Sequence, residues 1–131
     1  MFAPHEIMSD ITKILIVDDE VDICYILKMN LAKRNFSTSF THTLKDAEKL
    51  LQADEPSILL LDNHLPDGYG INFICKVKSK YPGIKIIMIT AHDSPQDRVK
   101  AYGNGVDFFL SKPFAITEIN RVIDLALGKI S

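Results

Sequence analysis

The chain of 131 residues has the length of about one domain, and its 47% hydrophobic and 24% charged residues are ordinary for a globular protein. A formal net charge of -2 excludes the basic surface that binding to nucleic acid or to an anionic membrane would require. We expect a cytoplasmic protein, because no apolar run is long enough to cross a bilayer and the N-terminus lacks the basic start and apolar stretch of a signal peptide.

Short apolar runs typical of strands recur along the chain, and amphipathic segments typical of helices separate them. The second run, STSFT, is the only one polar enough to suggest an edge strand, whereas the others indicate strands buried on both faces. The predicted strands are Lys13–Val17, Ser37–Thr41, Ser57–Leu61, Lys85–Ile89 and Asp107–Leu110.

Five helices are predicted between and after these strands, and two of them open with residues typical of helix N-termini, Thr43 and the pair Ser94-Pro95. Cys24 and Cys75 both fall in helical apolar patterns, so we expect reduced core thiols rather than a disulfide. Strict alternation of strand and helix predicts an α/β fold, a doubly wound parallel sheet with helices on both faces. The predicted helices are Val21–Lys33, Thr43–Gln52, Gly70–Lys80, Ser94–Gly103 and Thr117–Leu127.

Polar and charged side chains follow four of the predicted strands. Asp18 and Asp19 follow the first strand, Asp62 the third, Thr90 the fourth, and Lys112 comes shortly after the fifth. Because ligands of such sheets bind outside the carboxyl ends of the strands, we expect these side chains to meet at one edge of the sheet.

The chemistry of this set favours phosphoryl transfer. Three carboxylates in one cleft repel each other, and burial raises the free energy of their charged forms, so a cation must compensate. Mg2+ prefers carboxylates together with water and phosphate oxygens, and Lys112 adds a positive charge that can pair with carboxylate or phosphoryl oxygens. A carboxylate nucleophile, Mg2+ and a lysine are sufficient for covalent phosphoryl transfer to an aspartate.

The residues named above belong to four longer motifs, which occur along the chain in this order: KILIVDDE, LLLDNHLPDGYG, IIMITA and GNGVDFFLSKPF. With them the chain resembles a response-regulator receiver domain of two-component signalling from about Lys13 to Leu127. The resemblance implies a flavodoxin-like fold of five parallel strands in the order 2-1-3-4-5 with five helices. We expect a receiver domain at residues 12–131 and a disordered N-terminal extension at residues 1–11.

The resemblance assigns a phosphoacceptor and a metal site to residues of this sequence. It implies that Asp62 accepts the phosphoryl group and also binds Mg2+. Asp19 would bind the ion directly and Asp18 mainly through water, and the backbone carbonyl of His64 would be a further ligand.

The resemblance also implies a conformational switch. Thr90 would hydrogen-bond the phosphoryl group and move toward it, and Lys112 would pair with it. Phe109, three residues before Lys112, occupies the position of the family's switch aromatic. Phe108 and Phe109 alternate along a strand, so one ring is expected on each side of the sheet.

His64 and His92 stand two residues beyond Asp62 and two beyond Thr90. Side chains at these two positions tune the access of water to the aspartyl phosphate in the family. The resemblance therefore implies that both histidines border the entrance to the phosphoryl group and influence dephosphorylation.

On this resemblance the chain is expected to be a phosphorylation-dependent switch that catalyses only its own phosphorylation and dephosphorylation. Its implied partners are a sensor histidine kinase or a phosphotransfer protein as donor, and an output domain or protein at the surface of the fourth helix, fifth strand and fifth helix. The resemblance is also compatible with a homodimer that forms on phosphorylation. No direct contact with nucleic acid or membrane is expected.

Two alternatives stay open at this point. A haloacid-dehalogenase-like phosphatase would share the aspartyl-phosphate chemistry, but it would need an acid where His64 stands. A pseudo-receiver would bind partners without phosphorylation, although such domains usually lose the acidic pocket or the lysine. The sequence is compatible with a free-standing receiver and with a fragment of a longer regulator.

Overall fold

A computed structural model describes residues 11–130, and the predicted extension at residues 1–11 lies outside the described residues apart from Ile11. The main strands are β1 (Lys13–Val17), β2 (Ser37–Thr41), β3 (Ile58–Asp62), β4 (Lys85–Thr90) and β5 (Phe108–Ser111). The helices are α1 (Val21–Lys33), α2 (Leu44–Ala53), α3 (Gly70–Lys80), α4 (Pro95–Gly103) and α5 (Ile116–Ala126). None of the helices within residues 11–130 combines the length and hydrophobicity that a membrane crossing needs.

The five main strands form one parallel sheet in the order β2-β1-β3-β4-β5, which confirms the predicted flavodoxin-like topology. In the register of the central pair, Val17 at the end of β1 lies opposite Leu61 of β3. The strand order reverses between β1 and β3, so the residues that follow these strands emerge side by side at the carboxyl edge of the sheet.

Two hydrophobic cores cover the two faces of the sheet. Leu59 and Leu61 of β3 belong to the core formed with α2, α3 and α4, whereas Ile58 and Leu60 belong to the core formed with α1 and α5. All four side chains are at most 1% exposed. β3 is therefore a rigid central strand buried on both faces, as its continuous apolar run predicted.

Local hydrogen bonds define the helix starts that the sequence indicated. Thr43 Oγ1 accepts a hydrogen bond from the Asp46 backbone N–H at 3.1 Å, and Ser94 Oγ accepts one from the Asp97 N–H at 3.0 Å. Asn35, which follows the C-terminal end of α1, has a φ of 64°, a left-handed conformation that asparagine tolerates better than most residues.

The bounds of β3, β4, β5, α2, α4 and α5 differ from the predicted ones by one residue, and three departures matter for the site and the core. β3 extends to Asp62, which pairs in register with Ile89, so the acidic side chain stands on the strand itself. A short antiparallel hairpin, His64–Leu65 with Gly68–Tyr69, follows it. Both cysteines are free thiols, but only Cys24 is buried, and the prediction that Cys75 is a core thiol is wrong. Cys75 comes one helical step after the buried Ile74 and therefore points away from the core.

Candidate functional site

Three carboxylates converge where β1 and β3 end. Carboxylate oxygens of Asp18, Asp19 and Asp62 all lie within 4.8 Å of one another. Asp18 is only 2% exposed and Asp62 only 5%, whereas Asp19 is exposed at the rim. The structure thus brings together the acidic residues that the sequence placed after two different strands.

Lys112 reaches this cluster from the end of β5. Its Nζ lies 2.8 Å from Asp18 Oδ2, 3.1 Å from Glu20 Oε1 and 3.6 Å from Asp62 Oδ2. Burial alone lowers the pKa of the ammonium, but the hydrogen bond to Asp18 and the charges of Asp18 and Asp62 outweigh it, so the pKa of Lys112 is raised. The lysine is therefore a fixed cation shared among the acids of the cluster.

The two buried acids carry unfavourable charge despite this lysine. Burial and the negative charge of Asp18 raise the pKa of Asp62 to about 6, against the opposing effects of Lys112 and the backbone N–H of Asn63. Burial also raises the pKa of Asp18, and its hydrogen bond with Lys112 only partly offsets this. One ammonium does not neutralise the cluster, so a further cation would stabilise it.

Asn63 and Gly70 hold the loop after Asp62 in place. The Asn63 carbonyl accepts a hydrogen bond from Gly70 N–H at 2.8 Å, and its side-chain oxygen accepts one from Ile71 N–H at 2.9 Å. A Cβ on Gly70 would stand 2.2 Å from the Asp62 carbonyl oxygen, so only glycine allows this approach. The start of α3 is thereby fixed against Asp62.

Thr90 and Phe109 occupy neighbouring strands beside the cluster. Thr90 is 1% exposed, and its Oγ1 accepts a hydrogen bond from the His92 N–H at 3.1 Å. Phe109, 7% exposed, lies in register with Met88 and packs in the core under α2, α3 and α4. Phe108 packs against the opposite core, as the strand alternation predicted.

His64 and His92 stand at the mouth of the site. Their ring centroids are 4.1 Å apart, and His64 also makes an edge-to-face contact with Tyr69 at 5.3 Å between centroids. Both imidazoles line one cleft of about 230 Å³ together with residues of the acidic cluster. The cleft is lined by Asp19, Glu20, Asp62, His64, Ala91, His92 and Lys112.

The donor set of the cluster fits a hard divalent cation, because Asp18, Asp19 and Asp62 offer carboxylate oxygens at one point. That the His64 carbonyl completes the ligand set stays a prediction.

Two residues of the site were not predicted. Glu20, which pairs with Lys112, was detectable as the third acid of the DDE run, whereas nothing in the sequence marks Asn63 as the residue that fixes the loop.

Comparison with known proteins agrees with this geometry. A family model described as response regulator receiver domain matches residues 14–124. A CheY-like receiver domain protein from Methanospirillum hungatei is 26% identical, with a TM-score of 0.88 over 92% of this chain and 96% of that chain. The beryllofluoride-activated NtrC4 receiver domain dimer is 34% identical, with a TM-score of 0.85 over 91% of this chain and 98% of that chain.

A third solved structure is a response regulator from Burkholderia pseudomallei with a phosphorylated aspartic acid, a calcium ion and citrate. It is 26% identical, with a TM-score of 0.79 over 83% of this chain and 64% of that chain. The family match spans most of the chain, and the fold and the acidic cluster agree with it. The chain therefore belongs to the receiver domains of two-component response regulators.

Proposed function

We propose that this receiver domain is a phosphorylation-dependent switch that accepts a phosphoryl group on Asp62 from a sensor histidine kinase or a phosphotransfer protein. The proposal rests on one observation: a buried Asp62 with the Lys112 ammonium 3.6 Å away, inside a cluster of three carboxylates. The phosphorylated aspartic acid of the Burkholderia relative supports it. Retention of both the acidic cluster and the lysine argues against a pseudo-receiver.

In the proposed reaction an Asp62 carboxylate oxygen attacks the phosphorus of a phosphohistidine. A P–O bond forms as the P–N bond breaks, and the departing imidazole nitrogen keeps the electron pair of that bond and takes a proton from solvent water. Lys112 Nζ stands beside Asp62 and offers N–H donors and positive charge to the phosphoryl oxygens. The Thr90 hydroxyl, whose oxygen already accepts from His92 N–H, keeps its own hydrogen to donate to the phosphoryl group.

Asp18, Asp19 and Asp62 are the residues that would hold Mg2+. When bound, the ion supplies charge neutralisation for the carboxylates and for the oxygens of the transferring group. Burial raises the pKa of both Asp18 and Asp62, so a bound cation would offset the unfavourable charge of their ionised forms. The chain's own catalysis ends with this phosphorylation and its reversal, and no other substrate is proposed.

The proposed output is a population shift between two packings of the same fold. Thr90 moves toward the phosphoryl group, and the inward packing of Phe109, which it already has in this structure at 7% exposure, becomes the dominant one. The surface of α4, β5 and α5 changes as a result and binds an output domain, a partner protein or a second copy of this chain. The dimer of the activated NtrC4 relative supports the last of these.

His64 and His92 are proposed to set the lifetime of the phosphoryl group by limiting the access of water. Their rings lie in contact across the cleft above Asp62, which supports a steric role. The hydrolysis rate of Asp62 phosphate should differ among wild type, His64→Ala, His92→Ala and the double variant. Identical rates in all four proteins would exclude this role.

The central test is incubation with acetyl phosphate and Mg2+, followed by mass spectrometry of the intact protein. Wild type should gain one phosphoryl group that hydroxylamine removes, as expected of an acyl phosphate, and Asp62→Asn should gain none. Asp54→Asn is a matched control, because Asp54 is an exposed carboxylate paired with Lys13 at the start of β1, whereas the cleft lies at the carboxyl ends of the strands. Uptake by Asp62→Asn at the wild-type rate would refute the assignment.

A further inference from the structure

A bidentate ion pair lies outside the phosphoacceptor cleft, at the start of α4. Arg98 Nε donates to Asp93 Oδ1 at 2.6 Å, and Arg98 Nη2 donates to Asp93 Oδ2 at 2.8 Å. Ser111 Oγ also donates to Asp93 Oδ2, and Arg98 Nη2 lies 3.4 Å from Ser111 Oγ. The hydrogen bonds from Arg98 and Ser111 lower the pKa of Asp93 to about 2. Two parallel hydrogen bonds fix the plane of the guanidinium.

The same guanidinium covers the aromatic ring assigned to the switch. Arg98 Cζ lies 4.6 Å from the centroid of the Phe109 ring, within the range of a cation–π contact. Phe109 is 7% exposed, while the Arg98 side chain is 42% exposed. Arg98 therefore closes the outer side of the Phe109 pocket, and Asp93 holds it there.

Both partners of Arg98 are close in the chain to residues of the phosphoacceptor site. Asp93 is the third residue after Thr90, in the loop that follows β4. Ser111 lies opposite Thr90 in the strand register and directly precedes Lys112, whose backbone N–H donates to the Thr90 carbonyl at 2.8 Å. A displacement of Thr90 would therefore move the two residues that anchor Arg98.

On the basis of the proposed switch, we propose that Arg98 is a positioning residue. Together with Asp93 and Ser111, Arg98 holds Phe109 in its buried position and links α4 to the Phe109 ring. The contact favours the packing in which Phe109 is inward, the one that the phosphoryl group also favours. By linkage, Arg98 then increases the affinity of the domain for a phosphoryl group or its analogue.

The test measures the affinity for beryllofluoride in the presence of Mg2+, together with the ¹⁹F NMR spectrum of protein labelled with 4-fluorophenylalanine. The chain has seven phenylalanines, and Phe109→Leu assigns the resonance of interest. Arg98→Ala should weaken beryllofluoride binding about two- to five-fold, the range that a cation–π contact contributes at an exposed site. It should also shift or broaden the Phe109 resonance of the free protein.

Lys76→Ala is the matched control, because Lys76 forms an exposed ion pair with Glu48 between α3 and α2 and, within residues 11–130, makes no hydrogen bond, ion pair or cation–π contact with Arg98, Asp93, Ser111 or Phe109. It should leave both measurements at their wild-type values. Wild-type affinity and an unchanged Phe109 resonance in Arg98→Ala would overturn the role of Arg98, even if that variant were less stable. Failure of the wild-type protein to bind beryllofluoride would instead overturn the proposed function.

Discussion

Replacing Asp62 by asparagine is expected to stabilise the metal-free protein at neutral pH. Asparagine preserves the shape of the side chain and an oxygen that can accept the Asn63 N–H, which is 2.8 Å from Asp62 Oδ1. It removes the negative charge that is buried beside Asp18. Burial and that neighbouring charge raise the pKa of Asp62 from 3.8 to about 6, so the fold disfavours the ionised carboxylate.

The size and the pH dependence of the effect follow from this shift. About two pKa units correspond to roughly 3 kcal/mol between the charged and the neutral carboxyl group. Because the native pKa is raised, the favourable contribution of the neutral form is complete below the unfolded value of 3.8 and is lost as the pH rises through about 6. The advantage of Asp62→Asn should therefore be near zero at the acid end and complete above neutrality.

The measurement is urea unfolding of both proteins in EDTA buffers from about pH 3 to about pH 8, a range that includes both 3.8 and about 6. The free energy of unfolding of Asp62→Asn should exceed that of wild type by roughly 3 kcal/mol at the alkaline end. Asp54→Asn changes an exposed surface pair and should shift stability by less than about 1 kcal/mol, without this pH profile. A less stable Asp62→Asn at about pH 8, or a difference that is constant across the range, would refute the reasoning.

Three further results are expected. Asp19→Ala should abolish Mg2+ binding and phosphorylation together while leaving the fold intact, and an unchanged Mg2+ affinity by calorimetry would contradict the metal site. Gly70→Ala should cost about 1–3 kcal/mol in urea unfolding and slow phosphorylation, because the new Cβ meets the Asp62 carbonyl at 2.2 Å. Cys24 is fully buried with its pKa raised to about 11, chiefly by burial, so a thiol reagent should label native protein only at Cys75 and should not label Cys75→Ser. Two labels per native chain would show that Cys24 is accessible.

The sequence predicted the sheet and the helices well because hydrophobic periodicity and sharp polar boundaries coincide. The bounds of β1, β2, α1 and α3 are those predicted. Asp18 directly follows β1, and a residue typical of turns or helix ends stands two positions after α1 (Asn35) and after α3 (Pro82). The convergence of Asp18, Asp62 and Lys112 was also predictable, because parallel strands deliver their carboxyl ends to one edge. The predicted sheet topology thus allowed the site to be inferred from residues that lie far apart in the sequence.

Features that depend on side-chain direction across long sequence distances were not predictable in this way. Arg98 covers Phe109, and Glu20 pairs with Lys112 across 92 residues, through contacts that no local pattern encodes. The hairpin at residues 64–69 has strands of two residues, too short to show a period. Cys75 was misplaced because a single step along a helix turns a side chain by about 100°.

In the proposed switch, Lys112 links the charge on Asp62 to the end of β5. In this structure the ammonium is closer to Asp18, at 2.8 Å, than to Asp62, at 3.6 Å, so its main ion pair is with Asp18. A phosphoryl group on Asp62 adds negative charge on that side and would draw the ammonium toward it. The lysine backbone is hydrogen-bonded to the end of β4 and follows Ser111, which donates to Asp93. Added negative charge at Asp62 would therefore act on the end of β5 through Lys112. Because the Lys112 backbone N–H is hydrogen-bonded to the Thr90 carbonyl, the ends of β4 and β5 would move together.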